Sequence, residues 1–297
     1  MIQINDNLAA IKTIDVFTPI IDNPILQGKV TACNVTSDIY AMGALDIIGV
    51  LVFLAVDPDM PLEVSSAILK GFQEFCVDDN TTIIGGQTIK NPWPLIGGEA
   101  TGICPIDKIV YSTGAKIDDL LVLTKPLGIQ PIMAAYRIVR DTDSEFVDAV
   151  YEILNKKELK FAENLVIKSM TTSNKPIAEM FQEIPVNAAT DITGFGLTGH
   201  SEEMLKDNPN IDIEINKLPI FKGSLGVSEL CVYGLEEGRA AETAGGILIS
   251  VSPEHIDSLI LNLKRRKVNP NIIGKVIPGS GKVKIVEDIE ILECKVV

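Results

Sequence analysis

One stretch of the chain, at residues 188–200, combines a carboxylate with closely spaced glycines. Asp191 follows an apolar run, and Gly194, Gly196 and Gly199 come shortly after it. A carboxylate ahead of a helix N-terminus can hold Mg²⁺ as a hard oxygen ligand, while backbone N–H groups there face anionic oxygens. The stretch therefore favours binding of a phosphate and its metal. An Asp that merely caps the helix after a glycine-rich turn is the alternative.

The charge balance bears on which anions the chain can bind. With 26 basic and 40 acidic residues the net charge is −14, so the surface repels a phosphate polymer. We therefore expect no binding of nucleic acid. A bound polyphosphate must be neutralised locally, and a divalent cation held by carboxylates does this. The composition thus favours a metal-bound nucleotide over a bare anion.

Length and hydropathy indicate a cytoplasmic chain of two domains without a membrane partner. The 297 residues exceed the size of a typical single domain. Charges interrupt every apolar run before it reaches membrane-spanning length, including the run at 45–56. The N-terminus carries Asp6 and Asn7 where a signal peptide would need an apolar core. Five scattered cysteines are typical of reduced thiols.

Strand and helix patterns alternate through both halves, which predicts an α/β (α+β) fold. In the first half we predict strands at 8–17, 45–56, 81–84 and 95–103, and helices from about residue 28 and at 61–77. In the second half we predict strands at 120–124, 211–215 and 247–251, helices at 130–140, 144–154, 158–171, 177–182 and 253–266, and two or three short strands from 271 onward. The segment 218–232 stays unassigned. A weak apolar signal between 105 and 118 places the domains at 1–106 and 117–297.

The strands and helices predicted for the first half carry two further carboxylates that could bind a ligand. The strand at 8–17 carries Asp15. Asn34 and Asp38 share one face of the helix that follows, since residues four apart are neighbours on a helix. Asp38 on a solvated helix face without a ligand is the simpler interpretation of that residue alone.

Six separated segments combine these residues in one order along the chain, at 13–24, 34–43, 84–89, 123–128, 190–200 and 242–246. Together they resemble the selenophosphate synthetase family, also called selenide, water dikinase. The run at 37–43 occurs broadly in the aminoimidazole ribonucleotide synthetase-like superfamily and therefore indicates the fold. The runs at 124–128 and 191–197 are similar to the selenophosphate branch.

The resemblance implies a two-domain aminoimidazole ribonucleotide synthetase-like fold whose N-terminal sheets form a barrel across a homodimer. It implies a phosphotransferase that converts ATP, selenide and water into selenophosphate, AMP and phosphate. Position by position it makes Asp38 and Asp191 magnesium ligands and Asp15 a residue of the nucleotide site. Several carboxylates suit this chemistry, since they hold the Mg²⁺ ions that neutralise charge during phosphoryl transfer.

The same resemblance implies a loop against ATP at Gly86, Gln87 and Thr88. The family usually has His after this Gly-Gly pair, and Gln87 stands in its place. Gln can donate a hydrogen bond but cannot exchange a proton near neutral pH.

Three groups of the family pattern are missing from this sequence: a catalytic Cys or selenocysteine, a nearby Lys, and an Asp in a Gly-Asp-Asp stretch. If a UGA codon encoded selenocysteine, a start at the next internal Met would produce this chain, so we expect an N-terminally short and impaired enzyme. No cysteine is expected to substitute, because each lies among apolar or acidic neighbours. The five are Cys33, Cys76, Cys104, Cys231 and Cys294.

Two alternatives stay open at the level of sequence. The chain could be a non-catalytic dimer that binds Mg-ATP, or another ATP-dependent enzyme of the superfamily that uses sulfur or an amide. Cys294 resembles the reactive tail Cys of the hydrogenase-maturation carbamoyl dehydratases. Three residues follow it, however, and the rest of that tail motif is not apparent.

Overall fold

The computed structural model describes residues 1–141 and 145–295, and the chain divides into two compact units. Unit 1 contains Met1–Val110 and Met170–Glu183, and unit 2 contains Tyr111–Ser169 and Ile184–Val297. The domain bounds predicted from the sequence do not include this return of the chain to unit 1. Among the described residues, no helix is long and apolar enough to cross a membrane.

Strands and helices alternate along both units, which confirms the predicted α/β class. Up to residue 140 the elements are β1 (Ile2–Asn5), β2 (Leu8–Phe17), α1 (Pro24–Ala41), β3 (Asp46–Val56), α2 (Leu62–Asp78), β4 (Ile83–Lys90), β5 (Leu95–Pro105), β6 (Leu120–Leu123) and α3 (Ile129–Arg140). Then follow α4 (Phe146–Ile153), α5 (Lys156–Met170), α6 (Lys175–Phe181), β7 (Ala188–Asp191), α7 (Gly196–Glu203), β8 (Ile211–Phe221), α8 (Ser224–Cys231), β9 (Ile247–Val251), α9 (Ile256–Arg265), β10 (Asn271–Pro278) and β11 (Val283–Cys294). Ser144, where the fourth helix was predicted to begin, lies outside the described residues.

Unit 1 is built on a five-stranded sheet in the order β1-β2-β5-β3-β4, in which only β3 and β4 pair in parallel. The helices α1 and α2 pack together at very short range. A Cβ added at Gly28 would lie 2.0 Å from the Ile68 carbonyl oxygen, so this position requires glycine. The other face of the sheet exposes large apolar side chains, among them Ile14, Val16 and Leu51.

The first helix begins four residues earlier than predicted. The Asn23 side chain accepts hydrogen bonds from the backbone N–H groups of Ile25 (3.0 Å) and Leu26 (3.1 Å), so it caps the helix. Pro24 occupies the first turn, where its missing N–H needs no partner. The predicted start near residue 28 is therefore wrong, because this proline begins the helix and does not belong to the turn before it.

The predicted loop at Gly86, Gln87 and Thr88 is also wrong, since all three residues lie in strand β4. This strand forms the edge of the sheet beside β3. Gly86 has φ +152°, and a Cβ there would lie 2.1 Å from the Val52 carbonyl oxygen. Glycine therefore brings the strand close to β3 where the sequence suggested a break.

The return of the chain at 170–183 is fixed to unit 1 by a buried polar cluster. The Asp79 carboxylate accepts hydrogen bonds from the hydroxyls of Tyr40 (2.9 Å) and Ser173 (2.5 Å). The Lys175 ammonium donates to the Asp79 carbonyl oxygen at 2.6 Å. Burial raises the pKa of Asp79 in spite of these partners. No periodic pattern in the sequence predicts this contact.

Unit 2 is built on a six-stranded sheet in the order β11-β8-β10-β6-β9-β7, in which only β8 and β11 pair in parallel. Strand β9 lies between β6 and β7 and is antiparallel to both. Its first residue, Ile247, pairs with Asp191 at the end of β7, and the next, Leu248, pairs with Leu123 at the end of β6. The ends of β6 and β7 therefore flank the start of β9.

Asp191 closes a strand and does not cap a helix. The cap position of α7 is Phe195, which makes no side-chain cap hydrogen bond, so the alternative of an Asp191 cap is wrong. The unassigned segment 218–232 contains the end of β8, which runs six residues further than predicted, and the helix α8.

Candidate functional site

In unit 1, strand β2 and helix α1 bring two carboxylates close together. Alternation along β2 places Thr13 and Asp15 on the same face. The Thr13 hydroxyl donates a hydrogen bond to Asp38 Oδ2 at 2.6 Å, which fixes the Asp38 side chain. Burial, and then the negative charge of Asp38, raise the pKa of Asp15 to about 6. The two carboxylates therefore repel each other in the absence of a cation.

This pair fits the requirements of a magnesium ion. Asp15 and Asp38 are partly buried and offer hard oxygen ligands. In the parts of the chain that the structure describes, no three His, Cys, Asp or Glu side chains form a metal cage. Magnesium is commonly held by one or two carboxylates together with substrate phosphates, so a full protein cage is not required.

The residues at 86–88 line a groove at the edge of the same unit. Gly86, Gln87 and Thr88 line a groove of about 740 Å³ together with Lys70 and Gln73 of helix α2. Lys70 gives this groove a cationic side chain. The three residues are exposed, so an extended ligand can reach them.

In unit 2, Asp191 lies where three segments meet beside the first residue of β9. Its side chain is buried, with 4% exposed. The Ile247 N–H donates to the Thr124 hydroxyl at 2.7 Å, and the Ile192 N–H donates to the Gly246 carbonyl oxygen at 2.9 Å. The segments at 124–129, 191–196 and 240–247 are thus joined by direct hydrogen bonds.

Glu242 connects all three segments. Its carboxylate accepts the N–H groups of Gly128 (2.7 Å) and Ile129 (2.9 Å) at the start of α3. Its own N–H donates to the Thr193 carbonyl oxygen at 3.0 Å. Burial raises the pKa of Glu242 to about 8, and the two backbone hydrogen bonds oppose this rise. Sequence reasoning assigned Glu242 no role, although it begins one of the six segments of the resemblance.

Two further side chains near Asp191 were missed by sequence reasoning. Lys125 is buried, and its ammonium donates to the Ala244 carbonyl oxygen at 2.9 Å. His200 is also buried, with its Nε2 3.1 Å from the Thr193 hydroxyl. Nothing in the sequence predicts that the lysine of this Lys-Pro turn and the histidine of this short helix are buried.

The cysteines of the described residues are not in settings that activate a thiol. Burial raises the pKa of Cys76 to about 12 and of Cys104 to about 11, and nearby carboxylates add to both shifts. Burial also raises the pKa of Cys231 and Cys294. The Cys33 thiol donates to the Thr172 carbonyl oxygen at 3.3 Å. A reactive thiolate needs a lowered pKa, so these residues are typical of structural cysteines.

Known proteins are similar to this chain along most of its length. The families described as AIR synthase related protein, N-terminal domain and C-terminal domain match residues 1–104 and 116–287. A protein of Methanococcus maripaludis named selenide, water dikinase is 46% identical over 98% of this chain and 88% of its own length. One of Methanocaldococcus jannaschii with the same name is 45% identical over 97% and 83%. The crystal structure of the hydrogenase maturation protein HypE in complex with ATP matches with a TM-score of 0.72 at 12% identity, covering 96% of this chain and 83% of HypE.

The raised pKa of Asp15 predicts a pH effect on stability that Asp15→Asn should remove. Because the folded-state pKa of about 6 exceeds the ordinary 3.8, the folded state binds the proton more tightly than the unfolded state. The wild type should therefore lose stability as pH rises towards about 6, and Asp15→Asn should not show this loss. Urea unfolding midpoints between about pH 5 and 7, in the presence of EDTA, measure it.

Asp59→Asn is the matched control for this experiment, because Asp59 is an exposed carboxylate of the same unit. Its midpoints should follow those of the wild type. Parallel pH curves for the wild type and Asp15→Asn would contradict the interpretation that Asp15 binds its proton more tightly in the folded state.

Proposed function

The chain belongs to the selenide, water dikinase family within the AIR synthase related proteins, and from this we propose that it converts ATP, selenide and water into selenophosphate, AMP and phosphate. The likeness to relatives of that name along nearly the whole chain carries the proposal. It does not favour the alternative of a non-catalytic binding module. The ATP bound in the structure of HypE, which shares the fold, supports a nucleotide as the substrate of this chain.

Each unit contributes carboxylates to the proposed chemistry. In unit 1, Asp38 binds Mg²⁺ through the carboxylate that Thr13 orients, and Asp15 belongs to the nucleotide site. In unit 2, Asp191 is a magnesium ligand at the end of β7. Bound Mg²⁺ supplies the positive charge that offsets the charge of the triphosphate during transfer. Gly86, Gln87 and Thr88 bind ATP from an exposed edge strand.

These assignments predict the effect of removing single charges. Asp38→Asn and Asp191→Asn keep the size of the side chain but remove a charged ligand, so each should weaken Mg²⁺-dependent binding of ATP by tenfold or more. A tenfold loss is equivalent to about 1.4 kcal/mol. Isothermal titration calorimetry with and without Mg²⁺ measures the change.

Exposed carboxylates of the same units provide controls, namely Asp59→Asn in unit 1 and Asp257→Asn in unit 2. Both should bind Mg-ATP like the wild type. Unchanged binding in Asp38→Asn and Asp191→Asn would reject the proposed ligands, while equal losses in the controls would indicate a general effect of net charge.

The reaction itself is tested by its products. We expect ATP to be cleaved to AMP with formation of selenophosphate, both dependent on selenide and Mg²⁺, and ³¹P NMR resolves these phosphorus species. Release of ADP, or cleavage of ATP that does not depend on selenide, would contradict the proposed reaction.

We also propose that unit 1 forms a homodimer in which two such sheets close into a barrel. The open face of the sheet exposes 71% of Ile14, 42% of Val16 and 41% of Leu51. These residues line one shallow apolar pocket, and β4 leaves an unpaired edge beside it. Closure against a second copy would cover the face and pair the edges, which is how barrels avoid exposed strands.

A charge on this face should separate the subunits. The wild type should have twice the chain mass of 32.1 kDa in light scattering, and Ile14→Glu should lower the mass towards that of one chain. Leu261→Glu, at an exposed apolar position on α9 of unit 2, should remain a dimer. A monomeric wild type at micromolar concentration, or a dimeric Ile14→Glu, would contradict the proposed interface.

A further inference from the structure

The position of Asp191 in unit 2 depends on neighbours that come from two other parts of the chain. Strand β7 ends at Asp191, and the following Ile192 N–H bonds to the Gly246 carbonyl oxygen at 2.9 Å. The Thr193 carbonyl oxygen, two residues after Asp191, accepts the Glu242 N–H at 3.0 Å. The backbone on the C-terminal side of Asp191 is therefore held by the segment 242–246.

That segment is in turn fixed to the start of α3. The Glu242 carboxylate accepts two N–H groups there, from Gly128 and Ile129, at 2.7 and 2.9 Å. Four N–H groups at a helix start have no partner within the helix, and the two oxygens of the Glu242 carboxyl group accept two such N–H groups. Gln130 adds a third contact, because its side-chain oxygen accepts the Ala241 N–H at 2.9 Å.

The packing leaves this segment little freedom to shift. A Cβ added at Gly245 would lie 2.1 Å from the Ile192 carbonyl oxygen, and one at Gly246 would lie 2.4 Å from the Lys125 backbone nitrogen. A displacement of the segment must therefore move the turn that follows Asp191 as well.

We propose that Glu242 is a positioning residue for Asp191, which it holds in place by connecting the turn after β7 to the start of α3. The inference rests on the proposed function, in which Asp191 is a magnesium ligand. Glu242 itself touches neither metal nor nucleotide in this role. Residues that orient metal ligands commonly change metal affinity by tenfold or more when they are replaced.

Glu242→Gln tests the proposal with the smallest change of shape. A carboxamide has one acceptor oxygen, and its NH₂ group would face the second backbone N–H of α3, so one hydrogen bond is lost. We expect the Mg²⁺ concentration for half-maximal binding of a non-hydrolysable ATP analogue to rise about tenfold. In hydrogen exchange the Ile192 N–H should become less protected, without metal or nucleotide present.

Asp212→Asn is the matched control. Asp212 Oδ1 accepts two backbone N–H groups, those of Ser280 (2.6 Å) and Lys282 (2.9 Å), and Oδ2 pairs with the Lys284 ammonium, so Asp212→Asn removes a buried charge and its ion pair in unit 2. It holds the turn between β10 and β11, away from the three segments around Asp191. Asp212→Asn should lower the melting temperature but leave the Mg²⁺ dependence and the protection of Ile192 unchanged.

The outcomes separate this inference from the proposed function. If Asp191→Asn weakens Mg²⁺-dependent binding and Glu242→Gln does not, the positioning role is overturned and the metal ligand stands. If Asp191→Asn has no effect, the metal role fails, and the inference fails with it. Equal shifts of Mg²⁺ dependence in Glu242→Gln and Asp212→Asn would also overturn it, because they would reflect a general loss of stability.

A milder variant keeps the test decisive if Glu242→Gln does not fold. Gln130→Ala removes the contact to the Ala241 N–H at a partly buried position and leaves the Glu242 carboxylate in place. It should raise the required Mg²⁺ concentration in the same direction by a smaller factor. An unchanged Mg²⁺ dependence in Gln130→Ala together with unchanged protection of Ile192 would overturn the proposal.

Discussion

Burial of the Glu242 carboxylate is the constraint on which the end of the second sheet depends. A buried carboxylate is costly unless its oxygens are hydrogen-bonded, and here both accept N–H groups from the start of α3. The same residue bonds to the Thr193 backbone, so the hydrogen bonds that satisfy one buried carboxyl group also fix the turn after Asp191. The glycines at 245 and 246 are required because the segments then approach within backbone contact.

Unit 1, in contrast, holds two carboxylates close to each other, those of Asp15 and Asp38. Asp15 and Asp38 lie close enough for the charge of one to raise the pKa of the other. Such an arrangement lowers the stability of the metal-free protein, and a cation bound between carboxylate and phosphate oxygens would reverse the effect. The repulsion is therefore consistent with the magnesium and nucleotide site proposed above.

The arrangement of strands and helices in each unit explains where the proposed site residues lie. In unit 1 the helices cover one face of the sheet and leave the other face apolar and exposed, next to an edge strand that carries Gly86, Gln87 and Thr88. In unit 2 the antiparallel pairing of β9 with β6 and β7 brings chain segments more than fifty residues apart to one end of the sheet. The strand order thus assembles the surroundings of Asp191.

The sequence by itself determined the α/β class, the strand that carries Asp15, the helix that carries Asp38 and the family, because apolar periodicity and short motifs are local properties of the chain. Only the tertiary structure decided that Gly86 lies in an edge strand, that 170–183 returns to unit 1, and that Glu242 connects the turn after β7 to the start of α3. These features depend on hydrogen bonds between distant segments. From the sequence alone, a glycine that permits a close backbone approach cannot be distinguished from a glycine in a turn. A buried glutamate likewise cannot be distinguished from an exposed one. The contacts that distinguish them exist only in the folded chain.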